Sequence, residues 1–254
     1  MGEITFNGKS TSGMGVVIQS PPVYEFPSPD IEIVKVEGRS GDIILHKGSY
    51  QNVRRTYNVA SIFGSDDFIT KARELVDWLT TIKGYSRLED SYEPLYFRMA
   101  AFRNSGELRN IYDKATVLQL VFDCKPQRYL KSGETPIVID SFGSFIKIVN
   151  PTKFIALPII TLDNIAENSI TIEVVSGEDH DNPDNYTKVV ANFVGQGGID
   201  SDLQDCFNSS EFLNEHVELS NGFPKLYPGD NWLKVVHTSG PPTSLTITPR
   251  WWTL

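Results

Sequence analysis

Apolar residues in this chain recur mostly with period two, and only one stretch repeats at helical spacing. That pattern commits the chain to sheets. Ile31-Glu-Ile33 alternates, and Val34-Lys-Val36 then alternates in the opposite phase, which predicts a bulge between residues 33 and 34. Further strand-type runs cover 57–63, 95–102, 115–124, 145–149, 170–175, 188–193, 232–237 and 245–248. Glycine, proline, asparagine and aspartate separate them, as turns require. There is no internal repeat and no low-complexity tract.

The single helical stretch has its own punctuation. Ser65 suits an N-cap, and Asp66 and Asp67 sit where the helix dipole favours negative charge. Phe68, Ala72, Leu75, Leu79 and Ile82 form one apolar stripe, and Gly84 follows Lys83 as a left-handed terminator. The spacing predicts a helix over 66–82 laid on a sheet. The fold class is therefore mainly β, with an α+β N-terminal domain carrying the one long helix.

A chain of 254 residues has room for two domains. The polar stretch Lys131-Ser-Gly-Glu-Thr-Pro136 falls between two strand signals and predicts a boundary there. Charge changes across it. Residues 1–134 hold 17 basic and 17 acidic side chains, whereas 135–254 hold 6 and 15, so the whole net charge of −9 lies in the second half. We divide the chain into domains 1–134 and 135–254.

Several function classes lose support. No apolar run approaches the length of a membrane span, so no membrane insertion is expected. The start, MGEITF, has no secretory pattern, and Phe6 stands where a myristoylation signal needs Ser or Thr. A pI near 5.0 argues against specific nucleic-acid binding. Cys124 and Cys206 are too few for a disulfide framework or a zinc site. Cys124 falls on an apolar strand face with Thr116, Leu118, Leu120 and Phe122 and reads as a core thiol. Free thiols fit folding in a reducing cytosol.

No Gly-x-Ser-x-Gly, His-Glu-x-x-His, Walker loop or Gly-x-Gly-x-x-Gly occurs. Gly195-Gln-Gly-Gly198 is too short for a phosphate loop and reads as a glycine turn. His46, His180, His216 and His237 have no metal-ligand neighbour at helical or hairpin spacing. The expectation is no enzyme, no catalytic residue, no metal and no cofactor. With 32 acidic residues the sequence singles out no carboxylate pair.

The acidic stretch Glu178-Asp-His-Asp-Asn-Pro-Asp184 is the most tempting site. Pro183 spoils a calcium-loop pattern. His180-Asp-Asn182-Pro183 matches part of the galectin sugar-binding pattern His-x-Asn-Pro-Arg, but Asp184 replaces the arginine, and the next tryptophan is the distant Trp232. A solvated loop is the simpler reading, and a sugar site at His180 and Asn182 the alternative. In Phe223-Pro-Lys-Leu-Tyr-Pro-Gly-Asp-Asn231, Pro228 and Gly229 suit the central positions of a type II turn. Trp251 and Trp252 would point to opposite faces of a terminal strand, one of them into the core.

From its first strand the chain resembles the distal tail proteins of long-tailed, non-contractile bacteriophages. The resemblance runs in order through Ile4-Thr-Phe-Asn-Gly8, Gly15-Val-Val-Ile18, the glycine-arginine loop Val36-Glu-Gly38-Arg39-Ser-Gly41-Asp-Ile43, and Tyr50-Gln-Asn-Val-Arg-Arg-Thr-Tyr-Asn-Val59. It continues through Val76-Asp-Trp-Leu79, Tyr85-Ser-Arg-Leu88 and Leu120-Val-Phe-Asp-Cys-Lys-Pro-Gln-Arg-Tyr129. Beyond residue 130 only patches match: Val149-Asn-Pro151, the 223–231 segment and Pro249-Arg-Trp-Trp252. The resemblance implies a ring-forming N-terminal domain and a galectin-like β-sandwich behind it. It also implies six copies in a hub with a central channel for DNA. The partners it implies are the major tail (tube) protein, a tail-tip protein, and a receptor-binding or upper-baseplate protein. Such a protein is made in the bacterial host cytoplasm and ends in the virion. The alternative is a lectin-like module binding cell-wall carbohydrate directly.

Overall fold

The computed structural model describes residues 2–23, 25–61, 68–103, 109–111, 115–165, 169–238, 242 and 244–254. The proposed cap Ser65 and the first-turn Asp66 and Asp67 lie outside the described residues, as does the side chain of Phe68. The protein is mainly β and divides into two compact units, 1–128 with Leu254, and 129–253. Among the described residues no helix is long and apolar enough to cross a membrane.

The first unit contains β1 (Ile4–Phe6), β2 (Lys9–Ser10), β3 (Val16–Ile18), β4 (Pro29–Val34), β5 (Ile43–Tyr50), β6 (Val53–Ser61), α1 (Phe68–Thr81), β7 (Ser86–Asp90), β8 (Tyr96–Phe102), β9 (Arg109–Ile111) and most of β10 (Ala115–Leu130). A sheet runs in the order β2-β1-β7-β8-β10-β6-β3, with β9 also on β10. Alternation along β10 buries Leu120, Phe122 and Cys124. Burial pushes the Cys124 thiol up to about 12, so it behaves as a core group and not a nucleophile. Phe122 meets Phe6, Phe102 and Tyr57 edge-on at 5.0, 5.5 and 6.0 Å.

Helix α1 lays Leu75, Trp78 and Leu79 on this core. Trp78, absent from the predicted stripe, belongs to it: it lies three residues from Leu75 and donates its Nε1–H to the Phe6 carbonyl at 3.1 Å.

The second unit contains β11 (Ile137–Ile139), β12 (Phe145–Asn150), β13 (Ile159–Ile165), β14 (Ile170–Ser176), β15 (Asn185–Ala191), β16 (Gly195–Asp200), β17 (Asp205–Phe207), β18 (Val217–Ser220), β19 (Gly229–His237) and β20 (Ser244–Thr248). These form two five-stranded sheets, β11-β20-β13-β16-β17 and β12-β19-β14-β15-β18. One core takes Ile160, Leu162, Ile199, Leu245 and Ile247 from the first sheet, and Ile148, Ile172, Val189, Leu233 and Val235 from the second. Period-two alternation supplies both inner faces.

Two sequence expectations need correction. The 195–198 stretch is not a turn but strand β16, paired with β13 and β17. Its glycines make room for rings: a Cβ on Gly197 would lie 2.3 Å from the Phe193 ring, and one on Gly198 3.1 Å from Phe207. The bulge in β4 is not at 33/34. Pairing with β5 is regular from Ile31↔His46 to Val34↔Ile43, and the register shifts between Pro29 and Ile31. No core covers either face there, so the apolar phase did not report the pairing. The 131–136 stretch, where the domain boundary was expected, has local structure of its own. It opens with a 3-10 turn, Lys131–Glu134, whose buried Gly133 accepts the Arg250 amide at 2.8 Å, and the units divide earlier, after Arg128.

Candidate functional site

Most apolar strand residues here point into a core. The hairpin β4–β5 is the exception. It forms its own two-stranded sheet, and Ile33, Ile44 and Leu45 are 56%, 55% and 49% exposed. Cross-strand pairing puts Ile33 opposite Ile44 on one face, and Val34 opposite Ile43 and Glu32 opposite Leu45 on the other. Ile31, Val36 and Tyr50 extend the apolar surface. An isolated two-stranded hairpin is marginal in water. Both of its faces carry side chains whose burial would stabilise by roughly 1.5–3 kcal/mol each. The glycine-arginine loop is the hairpin's tip. Gly38 and Gly41 have φ of +77° and +88° in open space, and the Arg39 amide donates to the Val36 carbonyl at 3.2 Å. These residues shape a turn, and nothing lies within 4 Å of a Cβ placed on either glycine.

The first unit also buries a charged cluster that sequence reasoning missed. The Arg55 guanidinium lies 3.1 Å from Asp90 and 3.2 Å from Glu93, and Arg128 reaches Glu93 at 2.6 Å. Tyr57 donates its hydroxyl to Asp90 at 2.7 Å. Burial, with Asp90 beside it, pushes the Tyr57 hydroxyl well up. Burial also lowers Arg98, which lies 3.6 Å from Glu93. Arg55, Tyr57, Asp90, Glu93 and Arg128 pair with one another, whereas the buried Arg98 Nε meets no acceptor among the described residues. They act as an internal strut across β6, β7 and β8. Their spread from residue 55 to 128 gave no local signal.

In the second unit, Pro228 and Gly229 form the turn into β19, with Gly229 at φ +84°. Buried Asn231 locks it, accepting the Tyr227 amide and donating to the Tyr227 and Gly229 carbonyls at 2.8, 2.8 and 3.0 Å. Trp251 is buried in the core. Trp252 is half-buried, stacks on Phe154 at 4.4 Å and donates to the Ile155 carbonyl. Neither indole forms an exposed platform.

Residues 178–184 form the connection between β14 and β15, with Asn182 exposed. His180 is not simply solvated. Its ring lies 4.7 Å from that of Phe145 and 5.1 Å from that of Trp232. Its nitrogens approach Asp179 and Asp181 at 3.5 and 3.7 Å. These three neighbours bring their ligand atoms within 4.8 Å of one another, the one such group among the described residues. All come from one exposed loop tip, which by itself does not make a metal site.

No protein-family model matches the chain, and no curated protein matches it in sequence. Solved structures do. The Dit (gp 19.1) protein of phage SPP1, described as a paradigm of the hub adsorption apparatus in phages infecting Gram-positive hosts, superposes with a TM-score of 0.71 over 100% of both chains at 14% identity. A chain of the phage P2 baseplate in its activated conformation with Ca gives 0.56 at 10% identity, covering 97% of this chain and 96% of that one. The same baseplate with Sr gives 0.53 at 10% identity, covering 97% of each. The whole length of this chain therefore has the fold of a phage Dit, or baseplate hub, protein.

Proposed function

We propose that this protein is the structural hub of a phage tail tip. Six copies close a ring through the first unit, around a channel that passes DNA. The second unit, a galectin-like sandwich, stands outside the ring and receives a receptor-binding or upper-baseplate protein. The major tail (tube) protein and a tail-tip protein bind the ring on either side. The chain is made in the host cytoplasm and works in the virion, without catalysis.

The observation that carries this reading is the hairpin β4–β5, apolar and exposed on both faces in a chain with the hub fold. A closed ring needs a heterologous contact repeated at each copy. A protruding hairpin seated on the next copy supplies one and removes its apolar faces from water. A first half without net charge suits a channel that must not hold DNA, because phosphate affinity grows with cationic contacts.

Light scattering on the full chain, alone and with its tail neighbours, tests this. We expect assemblies of six times the 28.5 kDa chain, lost in Ile33→Asp/Ile44→Asp while the monomer keeps its melting temperature. Rings unaffected by that double change would remove the hairpin from the contact.

A further inference from the structure

The second unit carries a surface that the ring contact proposed for the first unit does not involve. On the outer face of the sheet β12-β19-β14-β15-β18, register places Lys147 beside Trp232, Trp232 beside Val175, and Val175 beside Tyr186. The next row is Phe145, Lys234, Glu173 and Lys188. Aromatic rings thus alternate with charges of both signs. Lys147 bridges the Asp230 carboxylate at 2.7 Å and the Trp232 ring at 5.3 Å, and Lys234 lies 5.3 Å from the Phe145 ring. The Trp232 Nε1–H is shielded from solvent and meets no acceptor among the described residues. A cleft of about 480 Å³ adjoins this face at Asp230, bounded by Glu178, Asp184, Tyr227 and Gly229.

From these observations we infer that the face is a carbohydrate-binding site for a neutral hexose oligosaccharide, held closed by His180. A pyranose ring offers an apolar C–H face for an indole and a phenyl ring. Its hydroxyls offer donors and acceptors that match ammonium and carboxylate groups at the rim. A hydroxyl oxygen would also supply the acceptor that the Trp232 N–H lacks. His180 now covers both rings, so a sugar must displace it. The loop permits this. Its ends are fastened by Gly177 N–H to Asp230 O and Asp184 N–H to Ser176 O, at 3.2 and 2.8 Å. Between them the one hydrogen bond among the described residues is internal, from the Asp181 amide to Asp179 Oδ1.

The test is titration of the full chain with lactose, maltotetraose and cellotetraose, read by tryptophan fluorescence and calorimetry. At least one should bind at millimolar concentration. His180→Ala should bind it more tightly, because the competing ring is gone. Phe145→Ala and Trp232→Phe should bind it about tenfold more weakly, equivalent to roughly 1.4 kcal/mol. Trp232→Phe keeps an apolar ring on the sheet, so folding is preserved, and an unchanged melting temperature checks it. A purely structural role for these rings would not produce opposite effects from His180 and Trp232. Absence of binding by all three sugars overturns the inference, as does binding that His180→Ala leaves unchanged or weakens. Ring assembly is read separately, so loss of either reading leaves the other standing.

Discussion

Gly197→Ala measures how tightly the second unit is packed. Gly197 sits within β16, opposite Leu162 of β13, and its φ is not in the left-handed region. Only space is at issue. An added Cβ would lie 2.3 Å from both Cε2 and Cζ of Phe193 and 3.2 Å from Leu213 Cδ1. Phe193 is a buried core ring and cannot swing into solvent. Overpacking of this kind costs about 1–3 kcal/mol. For a unit of this size that lowers the melting temperature by roughly 3–12 °C. Calorimetry on the full chain should show the second transition shifted and the first unchanged. Phe193→Leu should recover part of the loss in the double variant, since two residues in contact couple energetically. A neutral Gly197→Ala, or strictly additive effects of the two changes, would refute the packing argument. Gly195 is the control. It has φ +91° and open space, so Gly195→Ala meets backbone strain of roughly 1 kcal/mol that no change at Phe193 relieves.

Other outcomes follow from the same contacts. Trp251→Ala should cost about 3–5 kcal/mol in the second unit. Trp252→Ala should cost less, since it removes one stack on a half-buried ring; denaturant melts separate the two. Asp200 forms a two-pronged pair with Arg250, both bonds at 2.7 Å, and accepts the Asp202 and Leu203 amides at 2.9 and 3.2 Å. Burial works to raise its pKa, but Arg250 and the two amides outweigh it and hold the carboxyl below the ordinary 3.8. Its contribution to stability is therefore complete above the ordinary carboxylate pKa. It drains as pH falls through the lowered folded value, and Asp200→Asn should flatten that limb of the melting temperature against pH. Gly229→Val should destabilise the second unit through backbone strain alone, because φ is +84° and nothing lies within 4 Å of the new Cβ.

The sequence revealed the longer strands with one buried face and missed others, among them β5, β7, β13 and β16, for physical reasons. Period two marks a strand with one buried face, as in β10, β14 and β19, and these runs were legible. The alternation in β4 was legible as a strand but not as an exposed one, because an apolar strand with both faces open alternates like one already covered. Gly195 to Gly198 read as a turn because glycine is the common turn residue. Whether a missing side chain serves φ or makes room for a ring depends on Phe193 and Phe207, which only the fold brings near. Trp78 was overlooked beside Leu79, although it lies within one turn of Leu75. The galectin-like fragment at His180 could be read from the sequence, but the ring contacts of His180 could not. Its neighbours Phe145 and Trp232 come from strands far away in sequence, so the aromatic face was visible only after pairing.

The most direct test of the hub reading is the symmetry of this protein in assembled tail particles, imaged by cryo-electron microscopy. The account predicts six copies in one closed ring at the end of the tail tube. Ile33, Ile44 and Leu45 of each copy should be covered by the next. Copies at three-fold or one-fold positions only, or a six-fold ring with β4–β5 exposed to solvent, would contradict it.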